Sequence, residues 1–176
     1  MYDAATTLAS IFEGVLPLKL LQTRVWKILE ANPWLAARLC TDKQTGQPSL
    51  WIPAEPPVSP FFEHVEVGQI CSSGADTYAV IREAYTPSLT EAYAGLLTKQ
   101  GFKCLDRDEP LFKIRACVGD DEKFILLVSM SHVLIDGATQ YQIYRMLDPS
   151  SPVLPLKPER IQSIHEKLAD SKCLPG

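Results

Sequence analysis

A chain of 176 residues, 46% hydrophobic and 22% charged, suits one domain or one lobe of a larger enzyme; this usage excludes a wholly disordered chain, a collagen-like chain and a coiled-coil rod. A formal net charge of −4 argues against a nucleic-acid partner, whose phosphates demand clustered Lys and Arg. The longest apolar stretch, Leu8 to Leu21, is broken by Glu13, Pro17 and Lys19, whereas a membrane span needs about 20 largely apolar residues.

Met1-Tyr2-Asp3 lacks the basic start of a secretory signal. Asn32, the sole asparagine, precedes Pro33 and forms no glycosylation sequon. The five cysteines (Cys40, Cys71, Cys104, Cys117 and Cys173) are odd in number and show no Cys-x-x-Cys spacing. That speaks against a disulfide framework and a zinc site, and for a reducing, cytoplasmic setting.

In chain order, Leu16, Leu20, Leu21, Val25, Ile28 and Leu29 recur at helical spacing and predict an amphipathic helix over Leu16 to Ala31. Asn32-Pro33 ends it, because the residue before proline is pushed out of the α region. Thr45-Gly46-Gln47-Pro48 signals a turn, and Ser49 to Ile52 a short strand. Four prolines between Pro53 and Pro60 predict an extended loop, and Phe61 to Val67 alternates as a strand. Cys71 to Gly74 reads as a loop. Asp76 to Tyr85 and Leu89 to Gln100 are helix candidates, the second ending at Gly101.

The strongest β pattern follows. Phe112, Ile114, Ala116 and Val118 alternate with Lys113, Arg115 and Cys117, predicting a half-buried strand with Cys117 outward. Gly119-Asp120-Asp121 is a tight turn, and the near-continuous apolar run from Lys123 to Met130 predicts a central strand covered on both faces. Ala138 to Leu147 predicts a helix. Pro149, Pro152, Pro155 and Pro158 then mark a linker, so the chain divides into a lobe over 1–147 and a Pro-rich linker and tail over 148–176, with a short helix candidate at Ile161 to Ala169.

Between the apolar strand and the last helix of the lobe stands His132-x-x-x-Asp136-Gly137, which presents a histidine at a strand end. Together with Pro110 to Arg115, Phe124 to Ser131 and Asn32 to Leu39, this motif resembles the chloramphenicol acetyltransferase-like superfamily, which includes condensation domains and BAHD acyltransferases. The resemblance runs from about Leu16 to Leu147. It implies an α/β fold, a mixed β-sheet with packed helices. It also implies acyl transfer, not of the ping-pong kind, from acyl-CoA or a carrier-protein thioester to a hydroxyl or amine, with no permanently bound cofactor and no metal.

In that reading His132 is the general base, a role suited to a side chain whose ordinary pKa of about 6.5 lies near working pH. Asp136 points away from the channel and pairs with an arginine, Arg38 or Arg115. Gly137 lets the backbone turn tightly and lets substrate approach closely.

Two departures from the family pattern stand out. Ser131 occupies the place where condensation domains carry a first histidine, favouring the single-histidine acyltransferases. The chain also matches one lobe only. A homotrimer or a second lobe would have to complete the channel. The alternative is a catalytically incomplete lobe, serving as a binding or assembly module or belonging to a two-lobe condensation-type enzyme.

Other residues read more plainly. His64 is a surface strand residue and His165 a solvated helix residue. Asp106 to Glu109 is a solvated loop. Trp26, Trp34 and Trp51 are packing residues. No GxGxxG, P-loop, HExxH or GxSxG pattern occurs, so nucleotide-binding, zinc-protease and serine-hydrolase readings have no support.

Overall fold

The computed structural model describes residues 5–54, 62–66, 96–118 and 122–157. The elements are β1 (Ala5–Glu13), α1 (Leu18–Ala31), a 3-10 turn (Pro33–Ala36), β2 (Arg38–Thr41), β3 (Pro48–Trp51), β4 (Phe62–Glu66), a one-turn helix α2 (Gly101–Cys104), β5 (Phe112–Val118), β6 (Lys123–Ser131) and α3 (Gly137–Met146).

One sheet has the order β1-β6-β5-β4. β6 runs antiparallel to both neighbours, while β4 pairs parallel with β5, so the sheet is mixed, as expected. β2 and β3 form a separate antiparallel hairpin. Its turn is built by Asp42, whose Oδ1 accepts the N–H groups of Gln44 (2.8 Å) and Thr45 (2.7 Å). Gly46 closes it at φ +68°, a left-handed value that glycine adopts without steric cost.

α1 and α3 pack on one face of the sheet. Leu21, Val25, Ile28 and Leu29 of α1 and Ile143 and Met146 of α3 share a core with Phe112, Ile114, Ala116, Leu126, Val128 and Met130. Those strand residues alternate, and Phe112, Ile114 and Val128 are wholly buried. Burying a side chain of this class contributes about 1.5–3 kcal/mol. β1 joins the same face through Leu8, which packs against this core, flanked by Thr6 bonding Gln140 and Ser10 bonding Tyr144 of α3.

Several expectations change. β1 carries no clear alternation and was not anticipated from the sequence, although it pairs with β6 over its full nine residues. β5 is buried on both faces. Lys113, Arg115 and Cys117 are 5%, 3% and 0% exposed, so Cys117 is not an outward residue and its thiol is pushed up to about 11 by burial. Lys113 is held inside by its bond to the Leu97 carbonyl (3.2 Å) and by Glu109 at 3.8 Å; burial, partly offset by Glu109, lowers its pKa. Thr98 covers the same face, donating through Oγ1 to the Ser129 carbonyl (3.0 Å) and through its N–H to Ser129 Oγ (2.9 Å). Leu96–Gln100 are turn and extended chain, and Gly101 opens α2 where a helix end was expected. Trp34 is buried, but Trp26 and Trp51 are 41% and 57% exposed.

The proline-rich stretch read as a linker is, as far as Leu156, pinned to α1. Asn32, wholly buried, donates through Nδ2 to the Leu154 carbonyl (3.0 Å) and accepts the Leu156 N–H on Oδ1 (2.7 Å). Trp34 Nε1 donates to the Leu156 carbonyl at 3.2 Å. Arg24 donates to the Met146 and Asp148 carbonyls, at 2.5 and 3.0 Å, and to that of Ser151. The helix candidate at Asp76 to Tyr85, most of that at Leu89 to Gln100, the Gly119 to Asp121 turn, the Ile161 to Ala169 helix, His165, Cys71 and Cys173 lie outside the described residues.

Candidate active site

β6 is buried along nearly its whole length and ends at Ser131, which is 0% exposed. The next residue, His132, is exposed in a turn. The turn reverses the chain because the Ser131 carbonyl accepts both the Leu134 N–H (2.9 Å) and the Ile135 N–H (3.3 Å). Leu134 and Ile135 drop into the core at 9% and 8% exposure. Two apolar anchors on one side and a buried strand on the other hold an imidazole out in solvent.

Asp136 is the N-cap of α3. It keeps extended backbone angles (φ −93°, ψ 172°) while its Oδ1 accepts the Thr139 N–H at 2.8 Å and its carbonyl accepts the Gln140 N–H at 3.0 Å. The Thr139 N–H holds the Asp136 carboxyl below its ordinary 3.8, helped by the Thr139 hydroxyl and by the charge of nearby His132. A carboxylate there also complements the positive end of the helix. Gly137 is the first residue of α3, outside the left-handed region, and a Cβ built on it meets no atom within 4 Å. The turn therefore does not need glycine for its backbone. What the missing side chain leaves is open space beside the histidine turn.

The structure thus brings His132, Asp136 and Gly137 onto one turn. The arginines sit in other contacts. Arg38, on β2, donates through Nε to Asp108 Oδ1 at 2.8 Å and through Nη1 to the Ala36 carbonyl at 2.9 Å. Arg115, buried in β5, donates through Nη1 to the Ile114 carbonyl at 3.2 Å. The partner found for Asp136 is the Thr139 N–H, which sequence reading passed over, although an Asp directly before a helical run is an N-cap signal. The Asp106–Glu109 loop is likewise more than solvated: Asp106 accepts from Thr41, Asp108 from Arg38, and Glu109 from Lys99.

Among the described residues no three His, Cys, Asp or Glu side chains gather as a metal site, and no helix is long and apolar enough to cross a membrane. A cavity of about 340 Å³ lies at the far end of α3, lined by Gln142, Arg145, Met146, Ser151, Leu154 and Leu156 among others, and includes none of the motif residues. His64 lies in β4, in register with Ala116 of β5.

No family model matches the sequence, and no curated protein matches it. Solved structures do. SgcC5 from Streptomyces globisporus is 16% identical, with a TM-score of 0.56 over 94% of this chain and 34% of that one. TRI101 from F. sporotrichioides, complexed with coenzyme A and T-2, is 18% identical, with a TM-score of 0.56 over 82% of this chain and 36% of that one. The first condensation domain of the calcium-dependent antibiotic synthetase is 16% identical, with a TM-score of 0.56 over 82% of this chain and 33% of that one. At these identities the likeness is one of fold. The chain has the fold of one part of these structures, a condensation domain among them, and it spans about a third of the length of the structures it matches.

Proposed function

We propose that the chain is the histidine-bearing lobe of an acyltransferase that moves an acyl group from a thioester to a hydroxyl or amine. The observation that carries this reading is the exposed His132, set by a buried strand and two buried anchors at the end of β6 in a chain with this fold. Its neutral ring nitrogen takes the proton from the acceptor as the acceptor oxygen or nitrogen attacks the thioester carbon. The carbon–sulfur bond breaks, and the departing thiolate takes up the proton that His132 received. A general base of this kind contributes a factor of about 10² to 10⁴. Asp136 does not touch substrate; it caps α3 and so fixes the turn. The missing side chain at Gly137 leaves room for substrate beside the imidazole. Arg38, tied to Asp108, and Arg115, within the sheet, support the lobe that carries the turn.

The donor in this reading is acyl-CoA or a carrier-protein thioester, taken as a substrate with no resident cofactor. The support is that the fold's neighbours include TRI101 complexed with coenzyme A and the starter condensation domain of rhizomide synthetase in complex with C8-CoA. A single lobe gives His132 one wall of a channel. The other wall comes from a second lobe or from neighbouring copies in a homotrimer.

The test is thiol release from octanoyl-CoA by the full chain, with and without a panel of hydroxyl and amine acceptors. Acceptor-dependent release without a pre-steady-state burst supports direct transfer. A burst in the absence of acceptor contradicts it, because it requires a covalent acyl-enzyme. A second reading is favoured by one fact, that the chain spans a third of its structural neighbours: an incomplete lobe that binds or assembles without turnover. It predicts thioester binding and no thiol release under any acceptor.

A further inference from the structure

We propose that Ser131 is the positioning residue that aims His132; the proposal rests on the acyl-transfer reading for its kinetic consequence but not for its geometry. Ser131 is wholly buried, and its N–H, its carbonyl and its hydroxyl oxygen all take part in hydrogen bonds. Its N–H donates to the Leu111 carbonyl at 2.9 Å, fixing the end of β6 against the entry to β5. Its carbonyl accepts the N–H groups of Leu134 (2.9 Å) and Ile135 (3.3 Å), and its Oγ accepts the Val133 N–H (3.3 Å).

Three successive backbone N–H groups therefore converge on one serine, and His132 is the residue they enclose. With its neighbours on both sides fixed, the His132 backbone has little freedom left, and the ring departs from a defined Cα–Cβ direction. The hydroxyl is the part of this arrangement that only the side chain supplies. An alanine keeps the two carbonyl bonds and loses the third. A threonine keeps the oxygen.

The site so described differs in kind from one with two adjacent histidines. An imidazole at 131 would have to fit a position with no solvent exposure, and it would replace an oxygen that accepts from the turn by a ring that sits farther from the backbone.

The experiment compares Ser131→Ala and Ser131→Thr with wild type in the full chain, with two readouts. The first is steady-state thiol release. Ser131→Ala is expected to lower kcat at least tenfold with KM changed less than twofold, and Ser131→Thr to recover most of kcat. The second does not depend on activity: amide hydrogen exchange at Val133, Leu134 and Ile135, with the Asn32 amide, bonded to the Ile28 carbonyl at 2.9 Å, as the remote control. Ser131→Ala is expected to speed exchange in the turn at least tenfold and to leave Asn32 unchanged. Unchanged kcat in Ser131→Ala, or exchange that quickens equally at Asn32, overturns the proposal, the latter because it marks a general loss of stability. If wild type transfers no acyl group, the functional reading has failed, and the exchange result alone decides whether Ser131 holds the turn.

Discussion

At the scale of single residues, the turn after β6 is governed by a few polar atoms. Asp136 Oδ1 on the Thr139 N–H satisfies a donor that the first turn of α3 would otherwise leave open. Removing such a cap costs about 1 kcal/mol, so Asp136→Ala is expected to lose about that much stability and Asp136→Asn very little, as chemical denaturation will show. The pH dependence has a definite sign. Because the folded carboxyl titrates below 3.8, the cap stabilises above the unfolded-chain value and its contribution is lost as the pH falls through the lower folded value. Thermal melts taken downward from pH about 5 should drop more steeply for wild type than for Asp136→Asn. Gly137→Ala separates backbone from substrate roles. A Cβ there meets nothing and alanine is the better helix former, so stability should hold or rise by up to about 1 kcal/mol while acyl transfer falls. The motif itself was legible, because His132 and Asp136 flank a strand-to-helix change in periodicity. The arginine assignment was not: Arg38 finds Asp108 across 70 positions of sequence, and no local pattern encodes that pairing.

At the scale of elements, legibility followed periodicity and failed where partners came from far along the chain. α1, β5, β6 and α3 announce themselves by spacing. β1 does not: Ala5–Glu13 mixes threonine, serine and apolar residues without alternation, and its strand character comes from β6, whose Ser131 lies opposite Ala5. The outward face of β5 looked solvated because Lys113 and Arg115 are charged; it is buried because Thr98 and its neighbours cross it, a tertiary cover that strand pattern cannot reveal. The post-α3 prolines suggested a linker, but Asn32, Trp34 and Arg24 of and after α1 bind its carbonyls and one N–H. Asn32→Ala removes the side-chain partner of these part-buried groups and should cost about 1 kcal/mol. Limited proteolysis should then cut first within residues 151–157; cleavage there at the wild-type rate would show that Asn32 does not hold this stretch.

At the scale of the whole molecule, the fold was readable, and what would complete a channel in the proposed reading was not. The mixed sheet with two helices on one face follows from the alternation of β5, the apolar run of β6 and the amphipathic α1. In the proposed reading a channel needs a second wall, and the chain spans about a third of the structures whose fold it shares. If copies of the chain supply that wall, specific activity should rise with protein concentration through the range in which light scattering detects assembly. Constant specific activity in a species of monomer mass would show that one lobe suffices.

The most direct measurement is the rate of acceptor-dependent thiol release by His132→Ala beside wild type, at equal assembly state and with matched thermal stability. The account predicts a fall of about 10² to 10⁴. Because His132 is exposed and lies outside the core, the fold should be undisturbed. Turnover equal to wild type would contradict the assignment of His132 as the base and, with it, the acyl-transfer reading of this site.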